Sequence, residues 1–143
     1  MALIWVGNIE EETKANTTFR TALWTGKHSQ LTVMSLKPGE DIGLEIHPEV
    51  DQFLRLEQGK GRLEVGPARD ELSESYDVGE DWAFVVPAGT WHNVINTGDT
   101  ELKLYTIYSP PNHPDGTVHT TKAEAEAAEH GDEAWPDRPS GRR

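Results

Sequence analysis

The stretch that runs from Gly39 to Gly59, GEDIGLEIHPEVDQFLRLEQG, decides the fold. It sets three side chains with ligand atoms, Glu45, His47 and Gln52, around a Pro48-containing turn. Successive side chains of a strand point to opposite faces, so residues two apart share one. Glu45 and His47 are therefore expected to face one way and to share a metal with groups from neighbouring strands. The same alternation orders the residues beyond the turn. Gln52 shares its face with Leu54 and Leu56, whereas Asp51 shares its face with Phe53, Arg55 and Glu57. The apolar parity belongs inside, so Gln52 is expected to point inward. Asp51, whose carboxylate is the stronger ligand, takes that place only if the strand opens with a bulge.

A second stretch, DWAFVVPAGTWHNVIN from Asp81 to Asn96, supplies His92. Short apolar runs separated by Gly, Pro, Asn and Asp recur along the rest of the chain, at the spacing of a β-sandwich or barrel. They predict strands over residues Leu3 to Val6, Phe19 to Thr25, Gln30 to Leu36, Gly43 to His47, Phe53 to Gln58, Gly61 to Val65, Trp82 to Val86, His92 to Asn96 and Leu102 to Tyr108. Gly59 to Gly61 reads as a hairpin and Glu10 to Thr17 as a short helix. After Thr120 the composition shifts to the helix formers of TKAEAEAAEHG and then to the polar WPDRPSGRR. Residues 1–120 are thus expected to form one β domain and residues 121–143 a helix with a polar tail.

The two quoted stretches resemble the two signature motifs of the cupin superfamily. Its first motif reads Gly, five residues, His, any residue, His, three or four residues, Glu, six residues, Gly. Gly39, His47 and Gly59 match it, with Glu45 in place of the first His and Gln52 in place of the usual Glu. The second motif is met at Pro87, Gly89, His92 and Asn96, and Asp81, a turn-tolerant residue, replaces its leading Gly. The resemblance spans roughly residues 15 to 110 and implies an all-β fold, the cupin double-stranded β-helix or jelly-roll barrel. The chain is most similar to small single-domain cupins described as mannose-6-phosphate isomerase-like, a relationship of fold that sets no substrate.

The resemblance implies a metal held by Glu45, His47, Gln52 and His92. Two imidazoles and one carboxylate suit Fe, Mn, Zn, Ni or Co, and the two departures leave the ligand charge of a three-His, one-Glu site unchanged. The competing reading is a set of polar groups that hydrogen-bond in a barrel mouth without metal. Three function classes follow. One is a metal-dependent isomerase or lyase acting on a small oxygenated or sugar-like substrate, with Glu45 as ligand or, if detached, as catalytic base. Another is an Fe(II) dioxygenase, and the third is a non-catalytic small-molecule binder or sensor. Cupin barrels also pair through strand edges and exchanged N-terminal segments, so the resemblance implies a homodimer with Leu3 to Val6 as the added strand.

Bulk properties narrow the alternatives. The chain has 143 residues, enough for one sizeable core. Its net charge of −12 argues against nucleic acid or an anionic membrane as partner, and without Cys any metal must be held by nitrogen and oxygen. No apolar run reaches membrane-spanning length and the N-terminus lacks a signal pattern, so a cytoplasmic location is expected. His28, His113, His119 and His130 read as surface or loop residues, with His119 singled out because its segment can fold back over a barrel mouth. Trp24, Trp82 and Trp91 read as core or rim packing. Tyr105 and Tyr108 must face opposite sides, leaving open which lines the cavity. Arg55 and Arg62 fall on faces opposite the apolar ones and are expected to be solvated.

Overall fold

In the computed structural model, which describes residues 3–130, the expected apolar alternation becomes two antiparallel sheets packed face to face. The strands are β1 (Arg20–Thr25), β2 (Gln30–Leu36), β3 (Asp51–Gln58), β4 (Gly61–Gly66), β5 (Glu74–Val78), β6 (Ala83–Val86), β7 (Trp91–Asn96), β8 (Leu102–Ser109) and β9 (Val118–His119). The larger sheet runs in the order β6-β3-β8-β2-β1-β9 and the smaller in the order β5-β4-β7. Two helices complete the described chain, α1 (Ile9–Ala15) and α2 (Lys122–His130). The fold is the expected double-stranded β-helix.

Register explains where the core ends and a polar interior begins. Directly opposed residues of an antiparallel pair share a face. Met34, Leu104 and Leu56 stand in one such row, and Leu36 and Leu102 in the next towards one end of the barrel; all five are fully buried. In the other direction the rows turn polar: Thr32 with Thr106, then Gln30, Tyr108 and Gln52, again fully buried. One end of the barrel is thus sealed by aliphatic packing, while the other carries hydrogen-bonding groups that need partners.

The helix α1 covers the outer face of the larger sheet. Asn8 caps it, its side-chain oxygen accepting from the Glu11 N–H at 3.0 Å, and Glu10, Glu11 and Glu12 complement the positive end of the helix. Beneath it the ammonium of Lys103, itself buried, donates to the Asn16 carbonyl. At the other end of the chain α2 drops Ala125 into the core beside Phe19 and Ile42, and Lys122 pairs with Asp41. The polar segment expected after the helix lies outside the described residues.

Several expectations are corrected. Leu3 to Val6 is not a strand, and Leu3 is 96% exposed: an apolar run becomes a strand only where a sheet edge receives it. Gly43 to His47 forms only an isolated bridge, because Gly43 at φ +108° breaks the extended path. Gly59 to Gly61 is no hairpin. There the chain crosses from the larger sheet to the smaller, and a Cβ on Gly59 would meet the Glu101 carbonyl oxygen at 2.9 Å. The strand β5 was not expected, since its residues are mostly exposed and polar and show no alternation. Two-residue β9 gives no periodic signal either. Trp82 keeps its expected place at a rim, 54% exposed on the wall of a groove beside β6.

Candidate metal centre

Glu45 and His92 are set by backbone before any side-chain chemistry. Residues 39–45 follow β7, with hydrogen bonds from the Gly39 N–H to the Asn96 carbonyl and from the Ile42 N–H to the Val94 carbonyl. Past the Gly43 break, Glu45 and His92 exchange both backbone hydrogen bonds at 3.0 Å, so their side chains project on one side. The motif residue Asn96 serves structure: its amide donates to the Leu36 and Thr100 carbonyls. Asp81, at φ 70°, adopts the left-handed turn its family position requires.

His47 arrives from the same segment, two residues beyond Glu45. Its carbonyl accepts from the Gly89 N–H at 2.9 Å, which ties it to the Pro87–Gly89 turn that precedes His92. The ligand atoms of Glu45, His47 and His92 all lie within 4.8 Å of one another. His47 Nε2 is 2.6 Å from Glu45 Oε1, and His92 Nε2 is 4.0 Å from the same oxygen. Neither approach has hydrogen-bond geometry, so both buried imidazole nitrogens lack a partner. His92 Nδ1 lies 3.0 Å from the Thr90 carbonyl oxygen, to which it donates in the neutral ring, leaving the Nε2 lone pair aimed at the cluster.

The two candidates for the fourth position face opposite ways. Asp51 is exposed and its carboxylate accepts from the Ala88 N–H at 2.8 Å, pinning the same turn from outside. Gln52 is buried, donates through Nε2 to Thr106 Oγ1 at 2.9 Å, and keeps Oε1 without a partner. It stands opposite Tyr108, whose ring meets the edge of His47 with centroids 5.9 Å apart. Gln52 Oε1 is therefore a buried acceptor on the inner face that also carries His47's neighbour. Orphaned acceptors on two imidazoles and an amide, beside one carboxylate, are the donor set a borderline divalent ion takes.

Electrostatics favour an ionised Glu45 and a neutral His92. Burial would raise the Glu45 carboxyl, but His47, His92 and then Arg20 hold it down at about 2. Burial lowers the His92 imidazole, against the opposing pull of Glu45, and so favours the neutral ring. Burial pushes the Tyr108 phenol up to about 12, leaving it a neutral hydroxyl.

Behind the cluster lies a layer of which the sequence singled out only His119 and the Tyr105 and Tyr108 pair. Tyr108 is the inward tyrosine, and Tyr105 packs outward against Phe53. His113 stacks edge-on against Tyr108 at 5.2 Å and His119 against His113 at 6.4 Å; both are half-buried, His113 in the loop that follows β8 and His119 in β9. The segment bearing His119 does return to the barrel, pairing with Arg20 on β1. Arg20 is 1% exposed, and a terminal nitrogen of its guanidinium lies 3.2 Å from His119 Nδ1. Arg55 and Arg62 sit outside the barrel, paired with Glu57 and Asp81 and with Glu64. The side chain of His130 lies outside the described residues.

Among the described residues one cavity touches the cluster and another lies beside it. The exposed side of Glu45 lines one of about 210 Å³, bounded by Ile42, Arg69 and Lys122. The other, about 540 Å³, is an apolar groove between the edge strands β5 and β6, walled by Leu63, Tyr76, Trp82 and Phe84. Its lining includes Val65, opposite His92, and Val86, opposite Gln52. A small molecule has room there, in the usual size range of ligand pockets.

Residues 32–108 match the family described as "Cupin domain". The uncharacterized protein YrkC of Bacillus subtilis is 68% identical over 125 residues, covering 87% of this chain and 67% of that protein. The uncharacterized protein L612 of Acanthamoeba polyphaga mimivirus is 43% identical over 123 residues, covering 85% and 75%. The crystal structure of BH2720 from Bacillus halodurans superposes with a TM-score of 0.85 at 60% identity, covering 86% of this chain and 93% of that one.

Proposed function

The chain belongs to the cupin family, and on that premise we propose that it binds a divalent metal through Glu45, His47 and His92, with Gln52 as fourth ligand. We propose further that it is a metal-dependent enzyme acting on a small oxygenated, sugar-like molecule. The observation that carries this reading is the convergence of three ligand atoms within 4.8 Å, two of them imidazole nitrogens without a hydrogen-bond partner. A bound ion of the Fe, Mn, Zn, Ni or Co class supplies Lewis-acid polarisation of a carbonyl, hydroxyl or carboxylate oxygen. The chain's own residues do the rest. The Tyr108 hydroxyl offers a donor to the substrate's oxygens, and the groove between β5 and β6 takes its apolar side. Glu45 serves as ligand, and moves a proton only if it detaches.

A second reading, a binder or sensor without turnover, draws on one observation. Among the described residues no second carboxylate joins the cluster. The partner in either reading is a small molecule, and a homodimer is the assembly expected of the family.

Metal analysis decides the first step. Protein prepared without chelator or polyhistidine tag is expected to carry about one ion per chain, and the His47→Ala, His92→Ala double variant only a trace. Equal traces in both remove the metal reading. Oxygen uptake with Fe(II) and candidate diols, and a panel of sugar phosphates and uronates, then separate oxygenase from isomerase or lyase. Thermal stabilisation by a compound that is not consumed supports the binder.

A further inference from the structure

We infer that Arg20 is the anion-binding group of this interior, so that the ligand of the proposed metal centre carries a carboxylate. The inference rests on the metal reading and names the substrate class for it. Arg20 is among the largest fully buried side chains of the protein, facing inward from β1 opposite Met34. Burying a guanidinium is costly unless it meets a negative partner and its N–H groups are bonded. Here a terminal nitrogen meets the His119 ring, the Tyr108 hydroxyl takes a further bond and the Phe19 ring lies 5.3 Å from the guanidinium carbon, but none of these is negative and Nε has no hydrogen-bond partner. No carboxylate forms an ion pair with it among the described residues. Glu45 is close enough to feel its charge, but the two proposed imidazole ligands lie against that carboxylate, and its single negative charge is committed to the metal.

The surroundings match. Thr32, fully buried, stands opposite Ala22, the next inward residue after Arg20, and its hydroxyl also lacks a partner. Gln52 Oε1, both His47 nitrogens and His92 Nε2 are unpaired in the polar part of the interior, towards which the Arg20 guanidinium reaches from the Met34 row to bond Tyr108, the neighbour of His47. An Arg Nε–H with an adjacent terminal N–H forms a planar fork that fits the two oxygens of a carboxylate. A carboxylate seated there satisfies Arg20 and leaves a neighbouring hydroxyl or carbonyl oxygen of the same molecule for the centre.

Calorimetry on the zinc-loaded full chain tests this with lactate, its neutral amide lactamide, and inorganic phosphate. Lactate is expected to bind about tenfold or more tightly than lactamide, the usual worth of a charge-assisted bond. Arg20→Met should bring the two within about twofold while zinc uptake, followed by chelator competition, stays unchanged; Arg20→Lys, which keeps charge but not the fork, should fall between. Equal binding of lactate and lactamide to the unaltered chain overturns the inference, as does a preference that survives in Arg20→Met. Phosphate binding as tightly as lactate overturns the assignment to carboxylates. If Arg20→Met does not fold, the unaltered chain and Arg20→Lys decide. Failure to take up zinc would instead sink the metal reading; thermal shifts with lactate and lactamide on the zinc-free chain then decide Arg20 separately, equal shifts overturning it.

Discussion

Glu45 and His92 exchange both backbone hydrogen bonds at 3.0 Å across an isolated antiparallel bridge, 47 positions apart in the chain. The pair aligns two ligands through main chain alone, so the geometry does not depend on the side chains it presents. Glu45→Gln should therefore keep the fold and the bridge while removing the only charged ligand of the three. Metal affinity is expected to fall by about a hundredfold or more in chelator competition, with an unchanged circular dichroism spectrum. A variant that binds metal as before would exclude Glu45 as a ligand.

The neighbours Asp51 and Gln52 should respond in opposite ways. Gln52→Glu replaces a neutral acceptor on the inner face by a carboxylate, so metal should leave more slowly. Asp51→Ala deletes the acceptor of the Ala88 N–H and should lower unfolding stability by about 1 kcal/mol in urea, with metal content unchanged. The reverse pattern would place Asp51 in the centre.

Alternation made that distinction readable in advance: Gln52 shares parity with Leu54 and Leu56, and all three are buried. It could not reveal Arg20, His113 or His119. Arg20 meets His119 across 99 positions of sequence, and only the return of β9 onto β1 brings them together. Nor does Arg20 look apolar, so parity alone gives no reason to bury it. The strand expected over Gly43 to His47 failed for a local reason, the positive φ of Gly43, yet Glu45 and His47 still converge because the bridge to His92 restores the direction. Spacing in the motif thus encoded which side chains meet, while the supporting layer is a property of strand order.

The clasp between α2 and the barrel should depend on pH. Burial would raise the Asp41 carboxyl, but hydrogen bonds from Lys122 and Asn93 outweigh it and the net shift is downward. A carboxylate depressed in the folded state contributes stability above its unfolded value, about 3.9, and loses that contribution as pH falls through the lower folded value. Asp41→Asn is therefore expected to be less stable than the unaltered chain at pH 7, with the difference shrinking as pH falls below about 3.9. Urea midpoints across that range check it; a difference that persists at the acid end would mean Asp41 acts by packing and not by charge.

Metal should also stabilise the fold as a whole, because the proposed ligands tie separate parts of the chain. Glu45 and His47 sit on the segment that leads into β3, His92 lies on β7 of the smaller sheet, and Gln52 lies on β3 of the larger. An ion held by all four joins the two sheets at the polar end of the barrel, where several buried polar atoms have no partner. Since the unfolded chain scatters these ligands, nearly the whole binding free energy adds to stability. At a free metal concentration about a hundred times Kd the gain is about 2.7 kcal/mol. The melting temperature of the unaltered chain should therefore rise with added Zn(II) or Ni(II) and fall back on chelation, while the His47→Ala, His92→Ala double variant should not respond. A rise of the same size in both proteins would locate the stabilising ion elsewhere on this strongly acidic surface and leave the centre without support.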